Sequence, residues 1–283
     1  MEVDRLKRFD AAKNYALYYG AGRDNELASF DVAVVETGGQ NPVSVRRMQD
    51  AGTLVLGYLS VMEIHPSADE FKLLDGSDFL CINGEPCINR EYDNYLADLR
   101  SKRWNDILLH KAGRILHNSG YDGLFLDTIG DVESGELPVS LKGSLLIAAA
   151  DIVRKMRSLF PEHIMVQNCG LEKLCFLTSE YLNGICWENP DFENPAGMLW
   201  ATNVVKNLVK LRDRYGLKIL MLLEEKNEDG AGAPDAAVER NYQTARKIAG
   251  INRFLLYRSP YRYVGGVNLP VELSCIVAQS DVK

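Results

Sequence analysis

The chain has 283 residues, of which 46% are hydrophobic and 25% are charged, and its formal net charge is −7. These proportions are typical of a globular protein and exclude a disordered or fibrous one. The negative charge and the lack of a lysine and arginine cluster argue against nucleic acid as a partner. No apolar run is long enough to span a bilayer, so no membrane partner is expected.

The first eight residues are charged and lack the apolar core of a signal peptide. The sequence as it stands therefore predicts a cytoplasmic protein, and a secreted protein whose leader has been removed is the alternative.

The cysteines form no CxxC pair and have no histidine at metal-ligand spacing; they are Cys81, Cys87, Cys169, Cys175, Cys186 and Cys275. We expect reduced thiols, with a Cys81–Cys87 disulfide as the alternative in an exported protein.

Eight short runs rich in aliphatic, aromatic and β-branched residues are predicted to be strands. They lie at 14–19, 30–36, 53–60, 124–126, 164–168, 182–187, 218–223 and 253–257. Helical periodicity predicts helices at 42–51, 92–119, 140–160, 197–215 and 235–249.

Two stretches lack a regular period. Residues 66–90 are predicted to be an extended loop with one short apolar run at 78–82, long enough to be functional and a candidate lid. Residues 227–234 form an acidic, glycine-rich loop. Because no linker or internal repeat divides the chain, we expect one domain over residues 1–283.

Eight strands separated mostly by helices, in a chain of this length, predict an α/β protein with a single (β/α)₈ TIM barrel. The alternative is an open, doubly wound sheet. That fold normally carries a glycine-rich phosphate loop after its first strand, and Gly20-Ala21-Gly22 is only a weak version of one.

The carboxyl ends of the strands carry polar side chains. In a parallel barrel these ends meet at one rim, where ligands bind and chemistry occurs. Asp127, which follows the apolar run 124–126, is the first candidate for a catalytic group, and capping of the next helix or a turn is its structural alternative. The predicted rim contains Tyr18, Glu36, Glu63, Asp127, Asn168, Glu188, Glu224, Glu225 and Tyr257.

Carboxylates dominate this rim and histidines are scarce. That composition suits glycoside hydrolysis, in which one carboxylic acid protonates the leaving oxygen and a second carboxylate attacks or stabilises the cation. A hard metal ion on Asp127, Asp131 and Glu188 is the competing interpretation. Aromatic side chains at or after strand ends offer flat faces for sugar rings; they are Tyr58, Trp187, Tyr257, Tyr261 and Tyr263.

Three segments resemble a known family: residues 121–128 (YDGLFLDT), residues 97–101 (ADLRS) followed by Trp104, and residues 57–61 (GYLSV) followed by Glu63. In this order and combination the chain resembles the endo-α-1,4-polygalactosaminidase family of glycoside hydrolases over nearly its whole length. The resemblance implies a (β/α)₈ barrel, an α-1,4-linked galactosamine polymer as the carbohydrate partner, and no metal or organic cofactor.

The resemblance also implies roles for individual residues. Asp127 corresponds to the nucleophile or charge stabiliser and Glu188 to the general acid/base, with Glu224 in reserve; a retaining mechanism is favoured. The expected substrate-binding residues are Tyr18, Glu36, Tyr58, Glu63, Asp98, Asp131, Asn168, Glu224 and Tyr257. A non-catalytic carbohydrate-binding barrel and a metal-dependent hydrolase of unknown substrate are the alternative functions.

Overall fold

The computed structural model describes residues 5–225 and 236–270, which form a barrel of parallel strands surrounded by helices. The strands are β1 (Tyr15–Tyr18), β2 (Val32–Val35), β3 (Leu54–Ser60), β4 (Gly123–Asp127), β5 (Ile164–Asn168), β6 (Gly184–Glu188), β7 (Lys218–Glu224) and β8 (Leu255–Ser259). Each strand pairs in parallel with the next one along the chain. The rings of Tyr15 on β1 and Tyr257 on β8 pack 5.7 Å apart and bring the two ends of the sheet together. The predicted (β/α)₈ barrel is confirmed, and the strand order excludes the doubly wound alternative.

Helices occupy the intervals between the strands. They are α1 (Arg5–Ala11), before β1, and then α2 (Asp24–Leu27), α3 (Pro42–Asp50), α4 (Lys102–Gly113), α5 (Val139–Leu159), α6 (Leu174–Thr178), α7 (Pro195–Tyr215) and α8 (Ala236–Asn252). The short helices α2 and α6 were not predicted, because four or five residues are too few to show a helical period.

Burial explains the apolar strand sequences. Every residue of β1, β2 and β5 is buried, since these strands face the barrel interior on one side and the helices on the other. Side-chain caps fix where helices begin. Asn41 accepts hydrogen bonds from two N–H groups at the start of α3, and Ser101 accepts one from Trp104 at the start of α4.

Between β3 and α4 the chain forms an insertion, residues 61–101, rather than an extended loop. Three short strands, Glu63–Ile64, Asn94–Leu96 and Ile88–Asn89, pair in antiparallel fashion. A hairpin joins Cys81–Ile82 to Glu85–Pro86, and two 3₁₀ helices cover Asp69–Leu73 and Gly76–Asp78.

The predicted helix start at residue 92 is wrong by ten residues. Asn94–Leu96 is held as a strand by its pairing with Glu63–Ile64, and the helix begins only after the Ser101 cap. Strand pairing between residues about 30 positions apart leaves no signal in a local periodicity.

Some predictions fall outside the described residues: the loop 227–234 and Cys275. Within the described part, the thiols of Cys81 and Cys87 are free. The helices described there are each too short or too polar to cross a bilayer.

Candidate active site

Three neighbouring strands end in the polar residues at the centre of the site. Asp127, Asn168 and Glu188 are the last residues of β4, β5 and β6. The register of β4 against β5 places Asn168 beside Asp127. Asn168 also pairs with Cys186, two residues before Glu188. Because side chains alternate along a strand, Cys186 and Glu188 point to the same face. The sheet register therefore brings all three polar side chains together.

Each of these strands stops abruptly. The next residues, Thr128, Cys169 and Asn189, have φ values of 58°, 56° and 44°. This left-handed conformation is uncommon for residues other than glycine and is concentrated at functional sites. The backbone thus leaves the sheet directly after each polar residue, so that Asp127 and Glu188 face the cleft rather than a continuing strand.

Asn168 connects the two acids. Its Nδ2 atom lies 2.7 Å from Oδ1 of Asp127 and 2.5 Å from Oε2 of Glu188. The second oxygen of Glu188 accepts a hydrogen bond from the hydroxyl of Tyr263. The hydroxyl of Tyr58 interacts with Asp127 in the same way. Each carboxyl is therefore held by the shared amide and by one tyrosine.

Burial raises the pKa of Asp127, while hydrogen bonds from Asn168 and Tyr58 act in the opposite direction. Burial also raises the pKa of Glu188, and the negative charge of Asp127 adds to that effect; Tyr263 and Asn168 oppose it. Two neighbouring carboxyls do not readily ionise together, so the pair tends to retain one proton. One acid and one base of the same residue type can coexist in this arrangement.

A second pair of acids lies on the adjoining wall of the cleft. Glu63 is 8% exposed, and its two oxygens accept hydrogen bonds from Asn89 and Asn94, at 2.7 and 2.8 Å. Asp131 follows β4 on a short 3₁₀ helix. Burial, followed by the charge of Glu63, raises the pKa of Asp131 to about 8. Asp131 therefore keeps its proton at neutral pH, next to the Glu63 carboxylate.

The hydroxyl of Thr128 fixes the position of Glu63. It accepts hydrogen bonds from the backbone N–H groups of Val61, Met62 and Glu63, at 3.1, 2.8 and 3.2 Å. The residue that follows Asp127 thereby also anchors the start of the insertion. The two pairs of acids are mechanically linked through this one side chain.

The cleft has a volume of about 420 Å³, within the range of small-molecule sites. Its lining includes the acids Glu36, Glu63, Asp127, Asp131 and Glu188, the tyrosines Tyr19, Tyr58, Tyr92 and Tyr263, the amides Asn89, Asn94 and Asn168, and Arg262. Within the ranges 5–225 and 236–270, no group of three or more histidine, cysteine, aspartate or glutamate side chains has the arrangement of a metal site.

A larger groove, about 1050 Å³, lies outside the barrel between α4 and the 3₁₀ helix Asp69–Leu73. Its acids are paired with basic side chains: Asp78 with Arg103, Glu70 with Arg114, Asp69 with Lys72 and Asp106 with Lys102. Acids neutralised in this way are poor candidates for proton transfer. We therefore place the chemistry in the smaller cleft.

The structure brings most of the predicted site residues together. Those that line the cleft are Glu36, Tyr58, Glu63, Asp127, Asp131, Asn168 and Glu188. Four do not line it: Tyr18, Asp98, Glu224 and Tyr257.

The positions of the two tyrosines follow from strand geometry. Tyr18 is buried within β1 and its hydroxyl donates to the carbonyl of Ala21. Side chains alternate between the two faces of a strand, so it is the next residue, Tyr19, that reaches the cleft. Tyr257 is buried in the barrel interior against Tyr15 and Phe30.

The two carboxylates outside the cleft have local partners. Asp98, in the turn before α4, accepts hydrogen bonds from the guanidinium of Arg100 at 2.7 and 2.8 Å. Glu224 accepts one from the backbone N–H of Arg262 at 2.6 Å. It thereby supports the turn that presents Tyr263 to Glu188.

Several lining residues were not expected from the sequence. Asn89, Tyr92 and Asn94 belong to the insertion, and their placement depends on its antiparallel pairing. Tyr19 could have been predicted from the sequence, because two adjacent tyrosines at the end of a strand point to opposite faces of the sheet. Tyr263 was singled out only as one of several aromatic residues.

No protein-family model matches the sequence, and no curated protein matches it either. Among solved structures, the fold is similar to the glycoside hydrolase domain of PelA from Pseudomonas aeruginosa: the TM-score is 0.68 and the identity 20%, over 89% of this chain and 96% of that one. Ega3 of Aspergillus fumigatus, solved in complex with galactosamine, has a TM-score of 0.68 and 11% identity, over 92% and 95% of the two chains.

The α-galactosidase TtGalA from Thermus thermophilus is also similar, with a TM-score of 0.59 and 14% identity, over 94% of this chain and 61% of that one. At these identities the comparisons concern the fold. They agree with the barrel fold that the sequence predicts.

Proposed function

We propose that this protein is a glycoside hydrolase that cleaves α-1,4-linked galactosamine-type polymers, with Asp127 as nucleophile and Glu188 as general acid/base. The observation that carries the proposal is the pair of cleft carboxyls joined by a single amide nitrogen, each with a raised pKa. Two carboxyls, one ionised and one protonated, are what glycoside hydrolysis requires.

The proximity of the two acids favours retention of configuration. Both oxygens lie within hydrogen-bond distance of Nδ2 of Asn168, so they are no more than about 5 Å apart, which is near the spacing of retaining enzymes. An inverting enzyme needs room for a water molecule between the sugar and its base, with carboxyls about 6.5–9.5 Å apart.

In the first step, Asp127 attacks the anomeric carbon while Glu188 gives its proton to the departing glycosidic oxygen. The bond between the anomeric carbon and that oxygen breaks, and a covalent glycosyl–Asp127 intermediate forms. In the second step, Glu188 takes a proton from water, and the water oxygen displaces Asp127 from the anomeric carbon. The raised pKa of Glu188 supports the first proton transfer.

The charge of the cleft supports an aminosugar substrate. Among the described residues that line it, five are acids and one, Arg262, is an arginine. Asp131 keeps its proton, and Asp127 and Glu188 share one, so the acids that remain ionised still outnumber the arginine. A cleft dominated by negative charge concentrates cations, and galactosamine units with free amino groups are cationic at neutral pH. The similar fold of Ega3, which was solved with galactosamine, is consistent with this choice.

The test is hydrolysis of N-acetylated and de-N-acetylated galactosamine polymers by the wild-type protein, Asp127→Asn and Glu188→Gln. We expect oligosaccharide release by the wild type and a loss of about 10²- to 10⁴-fold in kcat when the acid/base is replaced. Asp127→Asn removes the nucleophile, so we expect no measurable turnover. Both substitutions are nearly isosteric, and thermal melts should show folded variants.

Asp98→Asn is the matched control, because it makes the same chemical change outside the cleft, and we expect it to retain activity. Binding of a polymer without its cleavage by the wild type would contradict a hydrolase and favour a carbohydrate-binding barrel. Loss of activity on addition of EDTA would contradict the metal-independent mechanism.

A further inference from the structure

We infer that Asn168 is a positioning residue, whose amide group holds the carboxyl groups of Asp127 and Glu188 in place, rather than a substrate-binding residue. The effect of Asn168 on catalysis rests on the proposed function, whereas its effect on the two carboxyl groups does not.

The hydrogen-bonding capacity of the amide supports this role. A side-chain NH₂ group has two hydrogens, and each is used by one of the two acids, at 2.7 Å and 2.5 Å. No donor remains for a substrate hydroxyl. The side chain is also only 3% exposed, which leaves little surface for a sugar to contact.

The orientation of the amide is determined by its neighbours. If the group were turned over, its carbonyl oxygen would face the two carboxyl groups, and the hydrogen bond to the ionised one would be lost. The observed orientation leaves Oδ1 of Asn168 buried without a hydrogen-bond partner in the described part of the chain. Such a group costs free energy, so the hydrogen bonds to the two acids outweigh the unsatisfied oxygen.

The backbone around Asn168 is well held. All five residues of β5 are buried, and the N–H of Cys169 donates to the carbonyl of Cys186 at 2.9 Å. Hydrogen bonds tie β5 to β4 and β6, the two strands that carry the acids. A residue fixed between two strands is well suited to hold their terminal carboxyls at a constant separation.

The amide also acts on the charge of both acids in the same direction. Hydrogen bonds from Asn168 stabilise the ionised forms of Asp127 and Glu188, and so lower the pKa of each against the effect of burial. In the proposed mechanism, ionisation of Asp127 sets the acidic limb of the pH–rate profile and deprotonation of Glu188 sets the alkaline limb. Removal of the amide should therefore move both limbs to higher pH.

The experiment is an NMR titration of the ¹³C-labelled carboxyl groups of Asp127 and Glu188, without substrate, in the wild type and in Asn168→Ala. We expect both pKa values to rise in the variant by about one to two pH units, the size expected from the loss of a hydrogen bond to a charged group. Unchanged pKa values would overturn the inference. Asn105→Ala is the matched control: it removes a partly buried amide from α4 whose oxygen also has no partner among the described residues, and it should leave both pKa values unchanged.

The second readout is the pH dependence of kcat and KM, measured on a polymer that the wild type cleaves. For Asn168→Ala we expect both limbs to move to higher pH, with a fall of about tenfold or more in kcat and little change in KM. A raised KM with unchanged kcat would indicate a substrate contact and overturn the positioning role. If Asn168→Ala does not fold, Asn168→Ser keeps one donor, and at least one of the two pKa values should rise; if neither does, the inference fails.

A wild-type protein that cuts no polymer would remove the proposed function but not this inference, because the titration needs no substrate.

Discussion

At the scale of single residues, the cleft shows how hydrogen-bond donors decide the charge of a buried acid. Asp131 and Asp127 lie four positions apart and both line the cleft, yet they differ in their hydrogen-bond donors. Asp127 receives hydrogen bonds from Asn168 and Tyr58. Oδ2 of Asp131 has no partner in the part of the chain that the structure describes, and its neighbour Glu63 is another acid. Asp131 therefore favours its protonated form, whereas Asp127 has support for its charge.

Asp131 should make the protein less stable as the pH rises. Its pKa is about 8 in the folded protein, against 3.8 for an aspartate in an unfolded chain, so folding requires it to hold a proton that the unfolded chain has lost. Its contribution to stability is fully present below about pH 4 and is lost as the pH rises through 8, by at most about 1.4 kcal/mol per pH unit. Asp131→Asn cannot ionise, so its free energy of unfolding should fall less between pH 5 and pH 8.

Urea denaturation at pH 5, 6, 7 and 8 measures this difference. Glu136→Gln, a change from carboxylate to amide in an exposed turn, is the control and should follow the wild type at every pH. Equal slopes for the wild type and Asp131→Asn would show that the Asp131 carboxyl is ionised in the folded protein.

At the scale of elements, the insertion at residues 61–101 supplies one wall of the cleft. Glu63 is the residue through which it is attached: its carboxylate binds Asn89 and Asn94, and its backbone N–H donates to Thr128. The N–H of Ala97 adds a bond of 2.7 Å to the carbonyl of Met62. The bonds to Thr128 tie the insertion to the barrel at the cleft. The other bonds join segments within the insertion, and the position of Tyr92 depends on them.

Glu63→Ala should loosen the insertion without unfolding the barrel. The change leaves the side-chain amides of Asn89 and Asn94 without their acceptor, at a cost of about 1–3 kcal/mol for each group that stays unsatisfied. We expect faster amide hydrogen exchange over residues 88–96 and faster proteolysis within the insertion, with unchanged exchange in β4, β5 and β6. Glu85→Ala, on the exposed hairpin, is the control. Unaltered exchange at 88–96 would show that backbone pairing alone holds the insertion.

At the scale of the whole molecule, the barrel depends on close approach between neighbouring strands. Gly123 begins β4, and a Cβ atom there would lie 2.3 Å from the carbonyl oxygen and 2.6 Å from the Cβ atom of Ile164, the first residue of β5. Both distances are far below van der Waals contact. The two strands can lie this close only because position 123 has no side chain.

Gly123→Ala should destabilise the protein by about 1–3 kcal/mol, the usual cost of overpacking, since β5 must move to make room. The same movement carries Asn168 away from Asp127, so activity should fall with stability. Gly143→Ala is the matched control: it lies in α5, where the added Cβ would have no described atom within 4 Å apart from its neighbours in the helix, and should gain about 0.5–1 kcal/mol. Thermal unfolding measures the stability of both variants, and equal melting temperatures would contradict the close packing at Gly123.

The sequence by itself was sufficient to predict the barrel and the acids that line the cleft. The eight strands are local features, because each is a short apolar run bounded by turn residues or helices. In a parallel barrel the polar residues that end such runs must meet at one rim. That rule placed Asp127, Asn168 and Glu188 in one group, together with Glu36 and Glu63.

Only the tertiary structure decided which face each side chain takes and which distant segments complete the site. Tyr19 rather than Tyr18 reaches the cleft because strand register, not composition, selects the face. Asn89 and Asn94 are brought to Glu63 by antiparallel pairing, and Tyr263 reaches Glu188 across 75 positions in the chain. Periodicity carries no information about contacts between residues so far apart, since their free energy depends on the packing of the complete barrel.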